Sequence, residues 1–300
     1  IEGESTYPTS GSLDLLTVSL TGTPQRPLTW ISLALAWFDP SRGVLPIEAV
    51  YPDGLTEQES DEQSAAAMAD SQQEAVAAAL GELGIAYASV VTVLETLDGY
   101  PADGVLEPGD RIVTIDGDPV AGVTELTAAL SSKPVGSGFE LGIERDGEPM
   151  TVALTTAPSS DDPATPLVGI RPDVDYEFPF EVDINLGNVG GPSAGMMLAL
   201  GVYDKLTPGE LTGGEHIAGT GTIGADGRVG PIGGIRQKMH GAAGAGADWF
   251  LAPAANCGEV VGRIPGGLEV FAVETLDEAL EVVEAIAAGG RTDRLERCGA

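Results

Sequence analysis

The order of apolar and polar positions divides the chain into three stretches. In residues 1–84, turns rich in Pro, Thr and Ser lead into a strand-like LDLLTVSL at 13–20, and the uncharged run LTWISLALAWF at 28–38 predicts a buried helix. Glu57, Glu59, Asp61 and Glu62 then precede Met68, Gln72, Val76, Leu80 and Leu83. Acid at the start and helical spacing afterwards predict an amphipathic helix that Gly84 stops. No residue of this stretch carries recognisable chemistry.

Residues 85–157 change period. Short β-rich runs, YASVVTVLE, RIVTIDG, FELGIERDG and MTVALTT, alternate with Gly, Pro and Asp turns around a helix-like TELTAALSS, which predicts a small, partly open β-barrel. A polar linker, APSSDDPATP at 157–166, follows. The remainder alternates strands (VGIRP, FEVDINL, HIAGTGTIG, WFLAP) with helices (SAGMMLALGVYDKL, GGIRQKMHGAAGAGA, LDEALEVVEAIAA). The last helix has Thr275 and Glu278 at capping-box spacing and ends at Gly289 and Gly290. The predicted class is α+β and α/β in several domains: an α/β N-terminal extension (1–84), a small β-barrel (85–157) and an α/β domain (158–300).

Composition narrows the partners. Acidic residues number 46 against 14 basic ones, for a formal net charge of −32. Phosphate binding needs a basic footprint, so nucleic acid is excluded as a partner. The acid suits a salty surrounding or a solubilising repulsion, though a composition bias spread over solvated faces explains it more simply. Two histidines and two cysteines, with no CxxC or Cys/His spacing, indicate no metal site. Cys257 and Cys298 are either a clip on the C-terminal segment or two unrelated thiols. The 28–38 run is too short to span a bilayer. The first residue is Ile1 rather than Met, which fits the removal of a signal or anchor.

The candidate chemistry centres on GGPSAGMMLALG at 190–201, where Ser193 stands at a predicted helix start. A serine hydroxyl needs a base. His216 follows Glu215 in GGEH and suits a surface role, His240 lies off the line of Lys238 on its helix, and GPSAG has Pro192 where a nucleophile elbow GxSxG has another residue. The other available base is a neutral lysine. Being half-neutral at pH 7 requires a pKa about 3 units below that of a free lysine, which burial supplies. Lys238 sits in PIGGIRQKMHGAAGAG, and helical spacing sets Ile235, Met239 and Ala242 on its side while Arg236 and Gln237 turn away.

GGPSAGMMLALGVYD followed by IAGTGTIGADGRVGPIGGIRQKMHGAAGAGADWFLAP resembles the proteolytic domain of Lon-type proteases, over roughly the last 130 residues. The resemblance implies Ser193 as nucleophile, Lys238 as general base and Thr220 as the hydroxyl that orients the lysine. It also implies backbone N–H groups around Gly191 and Ser193 as the holders of the oxyanion. Many Lon enzymes have an acidic residue just before GPSAG; this chain has Gly190. No GxxxxGK[ST] occurs in it, so the resemblance is to a Lon-like protease working without ATP and without a cofactor.

PADGVLEPGDRIVTIDGDPV is similar to a bacterial PDZ domain, with Gly109, Asp110, Ile112, Ile115, Asp116 and Gly117 fitting GDxIxxIDG. By that likeness Gly84, Ile85, Ala86 and Tyr87 fall at the carboxylate-binding loop, TELTAAL forms a groove wall, and an extended peptide adds to a sheet edge. A PDZ fold acting as a spacer is the alternative. An N-terminal part, a PDZ domain and a Lon-type domain together resemble the membrane-anchored PDZ/Lon-like proteases of Gram-positive bacteria. That likeness implies a single N-terminal membrane anchor, an extracytoplasmic location, a Cys257–Cys298 disulfide, polypeptide substrates and homo-oligomers. Two rivals remain: a non-catalytic PDZ peptide-binding protein on a Lon-like scaffold, and an amidase or esterase using the same dyad on small molecules.

Overall fold

The computed structural model describes residues 1, 3–23, 26–51, 56–120, 122–160, 162–187, 189–289 and 292–299; Gly290 lies outside them. In chain order the elements are β1 (Ser12–Leu15), α1 (Trp30–Trp37), α2 (Glu57–Glu82), β2 (Ala88–Thr96), β3 (Arg111–Ile115), β4 (Asp118–Pro119) and α3 (Val123–Ser131). Next come β5 (Gly138–Arg145), β6 (Glu148–Thr155), β7 (Ala157–Pro158), β8 (Pro166–Leu167), β9 (Ile170–Glu177) and α4 (Gly195–Leu206). The chain finishes with β10 (His216–Gly219), β11 (Thr222–Ile223), β12 (Val229–Gly230), α5 (Ile235–Ala245), β13 (Trp249–Pro253), α6 (Cys257–Val260), β14 (Glu269–Val273) and α7 (Leu276–Ala287).

Three domains in sequence order become two structural units. Ile1–Ala86 and Phe180–Ala300 form one, and Tyr87–Pro179 forms the other. The N-terminal stretch is therefore no separate extension. Its β1 pairs in parallel with β10, Leu13 opposite Ile217, in a sheet of order β1-β10-β13-β14. A parallel strand must be brought to its partner by a long connection, which local pattern along residues 1–84 does not reveal.

Within the first unit, α2 begins with a reciprocal capping box between Thr56 and Glu59 and buries Met68 and Ala75–Leu80. It packs on α4, as does α7. Thr275 caps α7 by accepting from the Glu278 N–H, but the Glu278 carboxylate bonds the Glu274 N–H, so the box is only half formed. Ile217, Phe250, Leu251 and Phe271 fill the sheet's core. Cys257 and Cys298 are joined in a disulfide across 41 residues, worth about 4 kcal/mol if loop entropy dominates.

Two expectations fail in this unit. The 28–38 run does form a helix, α1, but none of its residues is buried; Trp30 is 87% and Phe38 86% exposed. An uncharged composition favours burial but does not specify what the fold lays over it. FEVDINL alternates half-buried Phe180, Val182, Ile184 and Leu186 with exposed Glu181, Asp183 and Asn185, yet forms no strand. The side-chain period is present, but among the described residues no strand pairs along it. Among the described residues no helix is long and apolar enough to cross a membrane.

The second unit is an antiparallel sheet of order β6-β5-β3-β2-β9, with β4 beside β3. Val91, Val93, Ile112, Phe139, Leu141, Ile143 and Leu154 form its core with Leu126 of α3. Asp110 is buried there, and the Arg145 guanidinium grips both its carboxylate oxygens, each at 2.7 Å. The Glu107 N–H adds a third bond at 2.8 Å.

Candidate active site

Three elements of the first unit converge on one point. Ser193 lies in the turn just before α4, half-buried, and Lys238 is carried by α5 among the fully buried Ile235, Met239 and Ala242. Thr220 occupies the break between β10 and β11, so the run read as one strand, HIAGTGTIG, is two strands hinged at the residue that faces the lysine. Lys238 Nζ is 2.6 Å from Ser193 Oγ and 2.8 Å from Thr220 Oγ1.

The surroundings of the lysine decide what it can do. Only 3% of Lys238 is exposed, and among the described residues no carboxylate pairs with it. Burial, which penalises the ammonium form, lowers its pKa from 10.5 to about 8. About a tenth of the lysine is then neutral at pH 7, far more than for an exposed side chain.

Thr220 bridges the lysine and the serine peptide. Its hydroxyl donates to the Ser193 carbonyl at 2.9 Å, which leaves its lone pairs facing the lysine. Lys238 Nζ donates to both hydroxyls in its charged form, and a neutral lysine that keeps its N–H on Thr220 has an electron pair to offer Ser193 Oγ. The Gly221 N–H also donates to the Ser193 carbonyl, at 2.9 Å, so the Ser193 peptide is doubly held.

One expected role is corrected. The Gly191 N–H donates to the Ser64 carbonyl at 2.8 Å and is not free to hold an oxyanion. The Ser193 N–H has no intramolecular acceptor among the described residues. The histidines stand apart: His216 opens β10 and bonds Asp14 at 2.6 Å, and no described hydrogen bond joins His240 to Ser193.

Residues 1–84, read as chemically silent, reach this site through α2. Ser64 and Ser71 both contact the 190–195 loop, and the available signal was their spacing with Met68: i, i+4 and i+7 place two small polar residues on the helix's buried side.

The proposed PDZ groove fares differently. Gly84, Ile85 and Ala86 follow α2 in the first unit, and Tyr87 begins the second, where its ring meets Tyr176 and Phe178. β2, the strand this loop enters, is hydrogen-bonded to β3 on one side and along Ala88–Thr96 to β9 on the other. The β3 pairing covers only Val91 and Thr92, while the β9 pairing runs the length of the strand. Two hollows, of about 810 and 510 Å³, lie within residues 87–179, and neither is lined by Ser193 or Lys238.

Residues 172–286 match the Lon protease (S16) C-terminal proteolytic domain, and residues 62–156 match the PDZ domain. Neither match respects the structural units: the first begins inside β9 and the second inside α2. The chain is 35% identical over 161 residues to the Lon protease of Nitratidesulfovibrio vulgaris, covering 52% of this chain and 19% of that protein. It is 31% identical over 186 residues to Lon protease 1 of Bacillus subtilis, covering 59% and 24%. It thus spans a quarter or less of these relatives' length. The PDZ domain of the SdrC-like protein from Listeria innocua is 26% identical, with a TM-score of 0.26, over 28% of this chain and 92% of that one. The chain carries a PDZ domain and a Lon-type proteolytic domain.

Proposed function

We propose that this chain, with its PDZ and Lon-type domains, is a serine endopeptidase that cuts unfolded or membrane-tethered polypeptides through a Ser193–Lys238 dyad without ATP. The observation that carries the reading is the buried lysine, free of any described carboxylate, 2.6 Å from the serine hydroxyl.

In the first step neutral Lys238 takes the Ser193 Oγ proton as the oxygen attacks the scissile carbonyl. The Ser193 N–H is the donor we assign to the resulting oxyanion. Lysine returns the proton to the leaving amine, and an acyl-serine remains. Water, deprotonated by the same lysine, hydrolyses that ester and restores the hydroxyl. No step draws on a nucleotide or metal, and without an unfolding motor among these residues a flexible polypeptide is the suitable substrate.

The PDZ domain is assigned to binding or gating the substrate, and the active form to a homo-oligomer. We place the domains outside the cytoplasm on an N-terminal membrane anchor. The Cys257–Cys298 disulfide supports the compartment, since such bonds persist under oxidising conditions.

The test is covalent labelling of Ser193 with a fluorophosphonate, followed by mass spectrometry across pH. The expected rate rises with a midpoint near pH 8 and vanishes in Ser193→Ala and Lys238→Met. Absence of labelling in the wild-type chain at every pH would reject the dyad and favour a non-catalytic peptide-binding protein.

A further inference from the structure

We infer that Ser71 of α2 is a positioning residue that aims the oxyanion donor of the nucleophile, an inference resting on the Ser193–Lys238 reading above. The buried Ser71 hydroxyl donates to the Pro192 carbonyl at 3.0 Å, in the peptide unit that ends at the Ser193 nitrogen. That peptide is trans, so its N–H points opposite to its carbonyl. Anchoring the Pro192 oxygen on α2 therefore turns the Ser193 N–H away from α2.

A second tie lies two turns earlier on the same helix. The Ser64 carbonyl accepts the Gly191 N–H at 2.8 Å. Residues 64 and 71 are seven apart, so both face the loop, and together they hold it on either side of Gly191–Pro192. Ser193's other peptide is fixed by Thr220 and Gly221. The nucleophile is thereby held from both flanks, by α2 before it and by the β10–β11 break after it.

This close seating accounts for two glycines. A Cβ on Gly190 would stand 3.0 Å from Ser64 Cβ, and one on Gly195 would stand 2.7 Å from Ser71 Oγ and 2.9 Å from Ile223 Cγ2. Helix α2 lies more than 100 residues upstream, on the far side of the inserted unit.

The inference is tested on the intact chain with Ser71→Ala and with Ser71→Cys, an almost isosteric change to a weaker donor. The measurements are the fluorophosphonate labelling rate of Ser193 across pH, thermal stability, and amide deuterium exchange of the peptide spanning 189–197. The inference expects Ser71→Ala to slow labelling by about 10- to 100-fold, less than the loss of an oxyanion donor outright. Ser71→Cys should fall between it and wild type. The midpoint near pH 8 should not move, because Ser71 does not touch Lys238, and exchange at 189–197 should rise.

Labelling of Ser71→Ala at the wild-type rate overturns the inference, as does a rate loss accompanied by a shifted midpoint or matched by the unfolded fraction. If Ser71→Ala does not fold, Ser71→Cys decides by the same criteria. If wild type is unlabelled while 189–197 becomes more exchangeable in the variants, the dyad reading fails but the anchoring stands. Unchanged exchange overturns the anchoring itself.

Discussion

Lys238 in the first unit and Asp110 in the second are both charged residues taken out of water, and their neighbours treat them oppositely. Asp110 loses solvation, which pushes its pKa up, but the Arg145 fork and the Glu107 N–H outweigh this and leave it below the ordinary value. Lys238 loses solvation and gains only two hydroxyls, so its pKa falls to about 8. A buried charge that is fully answered is a structural tie. One that is left unanswered is pushed toward its neutral form and becomes a base.

The largest effect expected from this contrast is on turnover. Ser193→Ala and Lys238→Met should each reduce cleavage of an unfolded polypeptide by about 10⁴-fold or more, as for other residues that act as one catalytic unit. Retained cleavage by either purified variant would break the comparison at its catalytic side.

Asp110→Ala should cost the second unit about 1–3 kcal/mol, because it unpairs the Arg145 fork and the Glu107 N–H while Arg145 keeps Glu107 and the Val105 carbonyl. A lowered thermal transition together with undiminished Ser193 labelling is the expected result. The acid dependence follows from the same contacts. Since folding depresses the Asp110 pKa, its stabilisation is fully present above the unfolded carboxylate value near ~4 and is lost as pH falls through the folded value. Insensitivity of the second unit to this substitution would mean that Asp110 is not the tie described.

Lys238→Met should stabilise the first unit where Asp110→Ala destabilises the second. The lysine's folded pKa of about 8 lies below its unfolded value of 10.5, so its cost to stability is greatest below pH 8 and disappears above about pH 10.5. The gain should reach up to about 3 kcal/mol at neutral pH and shrink as pH rises through that window. A variant less stable than wild type at pH 7 would contradict the unanswered charge.

The smallest effect is expected from Thr220→Val, which removes one hydroxyl from the lysine. Labelling should fall about 10-fold, with the midpoint moving further below 8, because Thr220 accepts a bond from the ammonium. An unchanged pH profile would show that the contact does not govern the base.

Ser193 and Lys238 stood out in the chain through local features, a turn before an apolar helix and a lysine among apolar neighbours at helical spacing, whereas Thr220 was named only by the resemblance to Lon-type proteases. The two local features depend on residues a few positions away, and periodicity reports such relations. Helices α2, α4, α5 and α7 and most strands of the second unit were legible for the same reason. Pairing across long separations was not. That β1 joins the sheet at β10, that β9 pairs along the length of β2, that α2 returns to grip Pro192 and Gly191, and that α1 stays exposed are outcomes of which surfaces meet when the whole chain collapses. The sequence by itself determined the candidate reactive groups and the elements that bear them. Only the tertiary structure decided that the Gly191 N–H is spent on a neighbouring helix while the Ser193 N–H is left without an acceptor among the described residues, because a backbone hydrogen bond between distant segments leaves no periodic trace in either one.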